Sequence, residues 1–389
     1  MQFTRDRFTW LAYLMLAYFA YVMAALGPLM PFLRAELNLN YTVAALHLTA
    51  FALGMTVAGS LTDRLAERFG RVRLFWGGGF GMVIGALLFI SVPNEIITIF
   101  SSFLMGLLGS FLLIMIQAML SDRHGVMRAV AFSESNVTAS VATAFVPLVI
   151  GFSEGSGFGW RIAMWIGIAS WLILTFVYRS QPLPVATKRK ETDVGQSKRP
   201  LPLIFWMYWL VIFFSVSVEW CIGFWGADFL ENGVGLERVT ASTLMFVFLA
   251  AMALGRLIGS RITRTMETSR LLIIAAVIVL FGFPLFWLGQ IPAINIIGLF
   301  ITGIGIANLY PLTLSVATGI DPERSNTASA RSSLGAGLAI LIMPQILGGL
   351  ADQIGISGAF GIAAVLVVIV VALTLFAHSR SPILQPAKS

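Results

Sequence analysis

Charge is scarce in this chain. Of 389 residues only 11% are Asp, Glu, Lys or Arg, less than half of the roughly 25% usual for soluble domains. Together with a hydrophobic content of 58%, this excludes a large soluble core and points to a membrane protein. Cysteine is scarcer still. Cys221 stands alone in an apolar run, so no disulfide framework forms within the chain. Several chemical signatures are also missing. No Gly-x-x-x-x-Gly-Lys-Ser/Thr loop occurs, so ATP hydrolysis has no support. No His-Glu-x-x-His, Cys-x-x-Cys or Gly-x-Ser-x-Gly motif occurs either. Metal and nucleophilic catalysis are therefore unsupported, and neither an enzyme nor a bound cofactor is expected. The first apolar run lacks a small-residue cleavage site and reads as a retained span.

What the chain has is one apolar run after another, and a spanning helix needs roughly 20 such residues. Twelve spans are predicted. The first six are Thr9–Phe32, Tyr41–Leu61, Leu74–Val92, Ile96–Leu120, Ala129–Gly151 and Trp160–Tyr178. The second six are Leu203–Leu230, Val239–Gly259, Leu271–Leu288, Ile294–Thr318, Ala330–Leu350 and Gly358–Ala377. Between the sets lies a polar stretch with Pro182, Pro184, Lys188-Arg189-Lys190 and Lys198-Arg199. It reads as a solvated linker. The expected organisation is a six-helix lobe over 1–178, a linker over 179–202 and a second six-helix lobe over 203–389. The Gly77-Gly78-Gly79 run, followed by Gly81 and Gly85, begins an apolar span. It reads as a close-packing helix surface rather than a phosphate loop.

The net charge of +7 does not imply nucleic-acid binding, because the basic residues sit in short connections. One alternate set of connections holds Arg5, Arg7, Arg64, Arg68, Arg71, Arg73, Arg123, Arg128, the linker cations, Arg261, Arg264, Arg270, Arg324, Arg380 and Lys388. The other holds only Arg34, Arg161 and Arg238, against Glu36, Glu95, Glu154, Glu231, Glu237 and Asp352. The positive-inside rule then places both termini and the linker in the cytoplasm, with the protein in an inner or plasma membrane.

The two halves repeat at an offset of about 200 residues, the mark of a duplicated six-helix unit. Phe32-Leu33 matches Phe229-Leu230, Gly59-Ser60 matches Gly259-Ser260, and Pro147 matches Pro344. The same register makes Glu134 and Arg331 equivalents of opposite charge. Charges inside spans are costly, roughly 2.5–3.5 kcal/mol each on insertion scales, and so are candidates for function. Four stand out: Glu134, Glu219, Arg256 and Arg331. Glu219 shares a helical face with Ser215, Gly223 and Gly226, a small-residue face suited to a water-filled cavity. The alternative is an acid locking its helix to a neighbour. Ser102, Gly106, Ser110 and Gln117 form a comparable face in span 4. Asn308, Tyr310 and Thr313 lie in span 10, Tyr18 and Tyr21 in span 1, and Trp220 and Trp225 beside Glu219. Each of these can equally be packing. His47 is a candidate proton relay, and Asp228 is expected to be solvated.

Gly59, Asp63, Arg64, Gly70, Arg71 and Arg73 resemble the loop 2–3 signature of the major facilitator superfamily, Gly-x-x-x-Asp-Arg-x-Gly-Arg-Arg. Four extra residues separate Arg64 from Gly70, and Val72 interrupts the final basic pair. Gly159-Trp160-Arg161, and Pro28 with Pro31, resemble the same superfamily, and the likeness spans the chain. It implies an all-α membrane protein: twelve transmembrane helices in two pseudo-symmetric six-helix bundles. It also implies that helices 1, 4, 7 and 10 line a central cavity. Helix 2 would pack on helix 11 and helix 5 on helix 8. On that pairing a cytoplasmic latch joins Asp63 to Arg331 and Glu134 to Arg256 or Arg261, with Arg64 and Arg71 beside it. Span 5 lacks the Gly-x-x-x-Gly-Pro run of drug/proton antiporters.

The expected function is secondary active transport of a small organic solute by alternating access, with H+ as coupling ion and no cofactor. The partners are that solute and the lipid bilayer, with no nucleic acid, and the working unit is a monomer. Two alternatives stay open: a drug or lipophilic-cation exporter of the same fold, and a membrane sensor or assembly factor that transports nothing.

Overall fold

In hydrocarbon every backbone N–H and C=O must be met by the chain itself, and a helix does so with local bonds. The computed structural model describes residues 3–184 and 200–380. The linker cations Lys188, Arg189, Lys190, Lys198 and Arg199, and Lys388, lie outside them. Twelve α-helices form among the described residues. They are α1 (Arg7–Leu37), α2 (Tyr41–Phe69), α3 (Arg71–Ser91), α4 (Glu95–His124), α5 (Arg128–Gly155) and α6 (Arg161–Tyr178). There follow α7 (Leu203–Asn232), α8 (Arg238–Ile262), α9 (Thr268–Leu288), α10 (Pro292–Gly319), α11 (Ser325–Ala359) and α12 (Gly361–Arg380). A 3-10 turn, Gly125–Met127, joins α4 to α5 so closely that the two count as one among eleven apolar runs able to span a membrane.

The helices fall into two compact units. The first holds α1 to α6 together with Glu237–Phe246 at the start of α8. The second holds α7, the remainder of α8, and α9 to α12. In the first, α1 packs on α5, and both α2 and α3 pack on α4. In the second, α7 packs on α11 and α9 on α10. The α1–α5 and α3–α4 pairs thus recur as α7–α11 and α9–α10, which is how the sequence duplication looks in space.

Glycine permits the closest of these contacts, as expected where packing rather than hydrophobicity drives helix association. A Cβ on Gly106 would run into the Phe51 carbonyl of α2, and one on Gly54 into the Phe103 carbonyl of α4. In α3, Gly78 and Gly81 face Leu112 and Leu108 of α4, and Gly79 faces the Trp171 indole. The glycine run is therefore a packing surface. In the second unit Phe229, Phe283, Phe286 and Phe360 form one aromatic cluster with ring centroids 4.7–6.5 Å apart.

The stretch Gly59–Arg73, expected to be a loop, is mostly helix. α2 runs on to Phe69, Gly70 alone is non-helical at φ 86°, and α3 begins at Arg71. Its charges ended the apolar run without ending the helix, because solvated Asp, Arg and Glu side chains leave the backbone ladder intact. The repeat-related stretch behaves as expected. There α8 ends at Ile262, and a turn over 263–267 precedes α9. α11 is longer than its predicted span and breaks at Gly355, where φ is 75°.

Candidate functional site

Glu219 lies midway along α7 and Arg256 two turns from the end of α8, both in the second unit. Arg256 Nη2 stands 3.7 Å from Glu219 Oε1, and the two side chains are 47% and 21% exposed. One turn beyond Glu219, a Cβ added to Gly223 would meet no atom within 4 Å, so the helix surface there is open. Ser215 and Gly226, the other members of the predicted face, are buried. Beside the stripe, Phe213, Trp220 and Tyr310 are partly buried against Ile212, Val216 and Ala339. The local surface is thus one loose ion pair set among aromatic and aliphatic side chains.

The backbone that carries Arg256 is held by α10. Asn308 Nδ2 donates to the Gly255 carbonyl at 2.9 Å, and its carboxamide fills the room where a larger residue at Gly259 would go. Asn308 therefore positions α8 beside Arg256 and commits its amide to that task. Trp225 is fully buried and donates to the Pro344 carbonyl at 2.8 Å, which makes it a packing residue. Trp209 donates to the Arg331 carbonyl at 2.8 Å, while the Arg331 side chain is exposed.

The candidates of the first unit divide differently. Tyr18 and Tyr21 are buried and donate to the Gly79 and Ala163 carbonyls at 3.2 and 3.0 Å, tying α1 to α3 and α6. Ser110 is buried, and Gln117 is exposed on α4. His47 is fully buried. Its Nδ1 lies 3.0 Å from the Ala44 carbonyl within α2 and its Nε2 2.9 Å from Thr98 Oγ1, so one ring nitrogen joins α2 to α4. Asp228, expected to be solvated, is wholly buried. α7 continues to Asn232, which places Asp228 inside the helix among buried Ala227, Phe229 and Leu230.

At one end of the first unit the ion pairs are short. Glu134 accepts from Arg5 Nη2 and Nε at 2.6 and 2.8 Å and from the Tyr13 hydroxyl at 3.2 Å. Asp6 caps α1 by accepting from the Thr9 N–H at 2.8 Å, and Arg123 lies 2.5 Å from its carboxylate. Burial pushes the Asp6 carboxyl up, but the Thr9 hydroxyl and N–H and the Arg123 guanidinium more than offset it, so it sits below the usual carboxylate range. Thr9 Oγ1 lies 2.9 Å from His124 Nε2. Arg71 reaches Asp122 at 2.5 Å, while Asp63 and Arg64 are exposed on α2. Sequence reading missed Asp6, Tyr13, Asp122 and His124. The Asp6-x-x-Thr9 spacing was a capping signal, but the other three offered no local pattern.

Two internally similar units of long apolar helices, one holding a charged pair beside open space, define a membrane transporter by architecture. The family model described as Major Facilitator Superfamily matches residues 9–323 and again 208–389. An uncharacterised MFS-type transporter of Yersinia pestis is 25% identical over 360 residues, covering 90% of each chain. An uncharacterised transporter of Bacillus subtilis is 24% identical over 348 residues, covering 85% of this chain and 83% of the other. Among solved structures, a D-xylose–proton symporter superposes with a TM-score of 0.79 at 13% identity, covering 96% of this chain and 97% of that one. The nucleoside transporter NupG gives a TM-score of 0.72 at 13% identity, covering 95% and 97%. The chain belongs to the major facilitator superfamily. It is an integral multi-pass membrane protein of a transporter family whose members are not enzymes and move solutes by secondary transport.

Proposed function

We propose that this chain is a proton-coupled transporter of a small organic solute, working by alternating access with Glu219 as the coupling carboxylate. The observation that carries the reading is the loose pair: an acid midway along α7, a fifth exposed, 3.7 Å from Arg256 and next to open space. A carboxylate at such depth is costly unless it works, and one that keeps contact with open space can exchange a proton. Trp220, Tyr310, Ser110 and Gln117 are the remaining candidates for contact with the solute. Both termini are cytoplasmic and the monomer is the working unit.

In the same reading Asp63, with Arg64 and Arg71 beside it, meets Arg331 when the cytoplasmic side closes. Glu134 then exchanges Arg5 for Arg261 of α8, Arg256 being engaged with Glu219. Reversing Asp63 and Arg331 singly blocks transport, and reversing both restores it; failure of the double reversal refutes that pairing.

The coupling test begins with a solute found by thermal-shift screening at two pH values, since binding to the folded state raises apparent stability. In proteoliposomes Glu219→Gln then abolishes accumulation driven by a pH gradient while exchange across the membrane continues. Accumulation that survives the substitution refutes the coupling role of Glu219.

A further inference from the structure

A lone carboxylate beside a cavity would select a cation. Here the counter-charge is built in, because Arg256 stands opposite Glu219 within the same unit. α10 carries no charged side chain, α11 carries Arg331 and Asp352, and α12 carries His378 and Arg380. Of these and α8, Arg256 supplies the charge that acts on Glu219. Around Ile212 and Val216, two turns and one turn before Glu219 on α7, pack the aromatic side chains of Phe213, Trp220 and Tyr310.

We infer that the site takes a singly charged organic anion with a ring-sized apolar body, held on Arg256 while Glu219 carries a proton. The inference rests on Glu219 being the coupling group. Its basis is charge balance. Arginine cannot release its proton in a protein, so a site that takes up a proton on Glu219 stays neutral only if an anion comes with it. Empty, Arg256 pairs with ionised Glu219. Loaded, Arg256 pairs with the anion and Glu219 is protonated. An anion above ionised Glu219 leaves a net negative charge inside the span. A proton without the anion leaves a net positive one, and so does an organic cation added to the resting pair. Unbalanced charge at that depth is disfavoured. The sequence of events follows. A proton from the aqueous phase joins the Glu219 carboxylate, and the guanidinium passes to the anion through charge-assisted hydrogen bonds. On the far side the anion leaves, the proton is lost and the original pair re-forms. One proton moves with one anion, and no net charge crosses the membrane. A single guanidinium and a single proton also set the limit at one negative charge.

The test uses the full chain in proteoliposomes with three phenyl probes of different charge: benzenesulfonate, benzenesulfonamide and benzamidinium. Benzenesulfonate does not cross bilayers as a neutral acid, and protein-free vesicles give the background. The expected result is benzenesulfonate entry with proton entry, driven by a pH gradient and indifferent to a clamped membrane potential. Arg256→Gln weakens benzenesulfonate binding roughly tenfold or more, the loss of a charge-assisted contact, and far more than it weakens benzenesulfonamide binding. Arg256→Lys retains part of the anion binding, and thermal unfolding of both variants establishes that they fold. Benzenesulfonate entry that follows voltage, anion binding unmoved in Arg256→Gln, or no benzenesulfonate binding at millimolar concentration overturns the inference. Proton entry with benzamidinium or benzenesulfonamide alone overturns it too, yet keeps Glu219 as the coupling group. Wild-type proton entry in Glu219→Gln overturns the coupling reading itself.

Discussion

In the first unit Arg5 grips Glu134 through two bonds of 2.6 and 2.8 Å, while in the second Arg256 stands 3.7 Å from Glu219. Both acids sit on apolar helices, and both face an arginine. They differ in what surrounds the pair. Glu134 also accepts from Tyr13, and next to it Asp6 is fixed by Thr9 and Arg123. Glu219 has Arg256 at a distance and open space one turn away. Short bonds with several donors hold one arrangement. A single contact of 3.7 Å next to an open stretch of helix gives up its partner more readily. The first cluster is built to fasten helix ends, and the second to respond.

The sharpest way to break this contrast is Glu219→Gln. It is expected to end gradient-driven accumulation altogether yet to shift the thermal midpoint little, since the contact it removes is 3.7 Å long and Arg256 is half exposed. A large fall in thermal stability, measured on the purified protein, would make Glu219 a fastener after all. Next in size is Asp6→Ala, which removes the cap of α1 and the partner of Arg123. A lost cap costs about 1 kcal/mol, read as a lower unfolding midpoint with transport retained. The folded-state Asp6 carboxyl sits below its ordinary value, so its contribution is complete above the unfolded value and disappears as pH falls through the folded one. Wild type and Asp6→Ala should therefore converge in stability below about pH 4. A gap that persists in acid would deny the carboxylate its role.

Glu134→Gln should cost less, roughly 0.5–1 kcal/mol, because Arg5 is half exposed and solvent screens the pair. Arg5→Ala should lower the unfolding midpoint too, and the double variant little more than either alone. Simple additivity in that cycle would show that the two do not act as a unit. Smallest is Gln117→Ala on the exposed face of α4, expected to change stability by no more than about 0.5 kcal/mol. A larger change would place Gln117 in the packing of its own unit.

Much of the fold is legible because its causes are local. Apolar runs of sufficient length dictate helices, and the register between Pro147 and Pro344 reflects two units that pack the same way. Glu219 stood out for a local reason too, an acid where acids are costly. The side-chain partners were not legible, because they depend on contacts across the chain. Arg5 is 129 residues from Glu134 and looked like one more charge that sets orientation. Tyr18 and Tyr21 looked like cavity residues, but periodicity does not say whether a phenol tip meets solvent or a carbonyl of the next helix. Asn308 has the same ambiguity, and its amide ends on Gly255. Asp228 misled through its position near a predicted terminus that the helix overran.

Gly70 has a mechanical consequence. One residue joins α2 to α3, while the equivalent joint between α8 and α9 takes the turn over 263–267. A joint that short stores no slack. α2 cannot slide along its axis without pulling α3, and the glycine seams of both helices bind them to α4. These three helices are tied together as one piece, whereas α8 and α9 are joined by a longer turn.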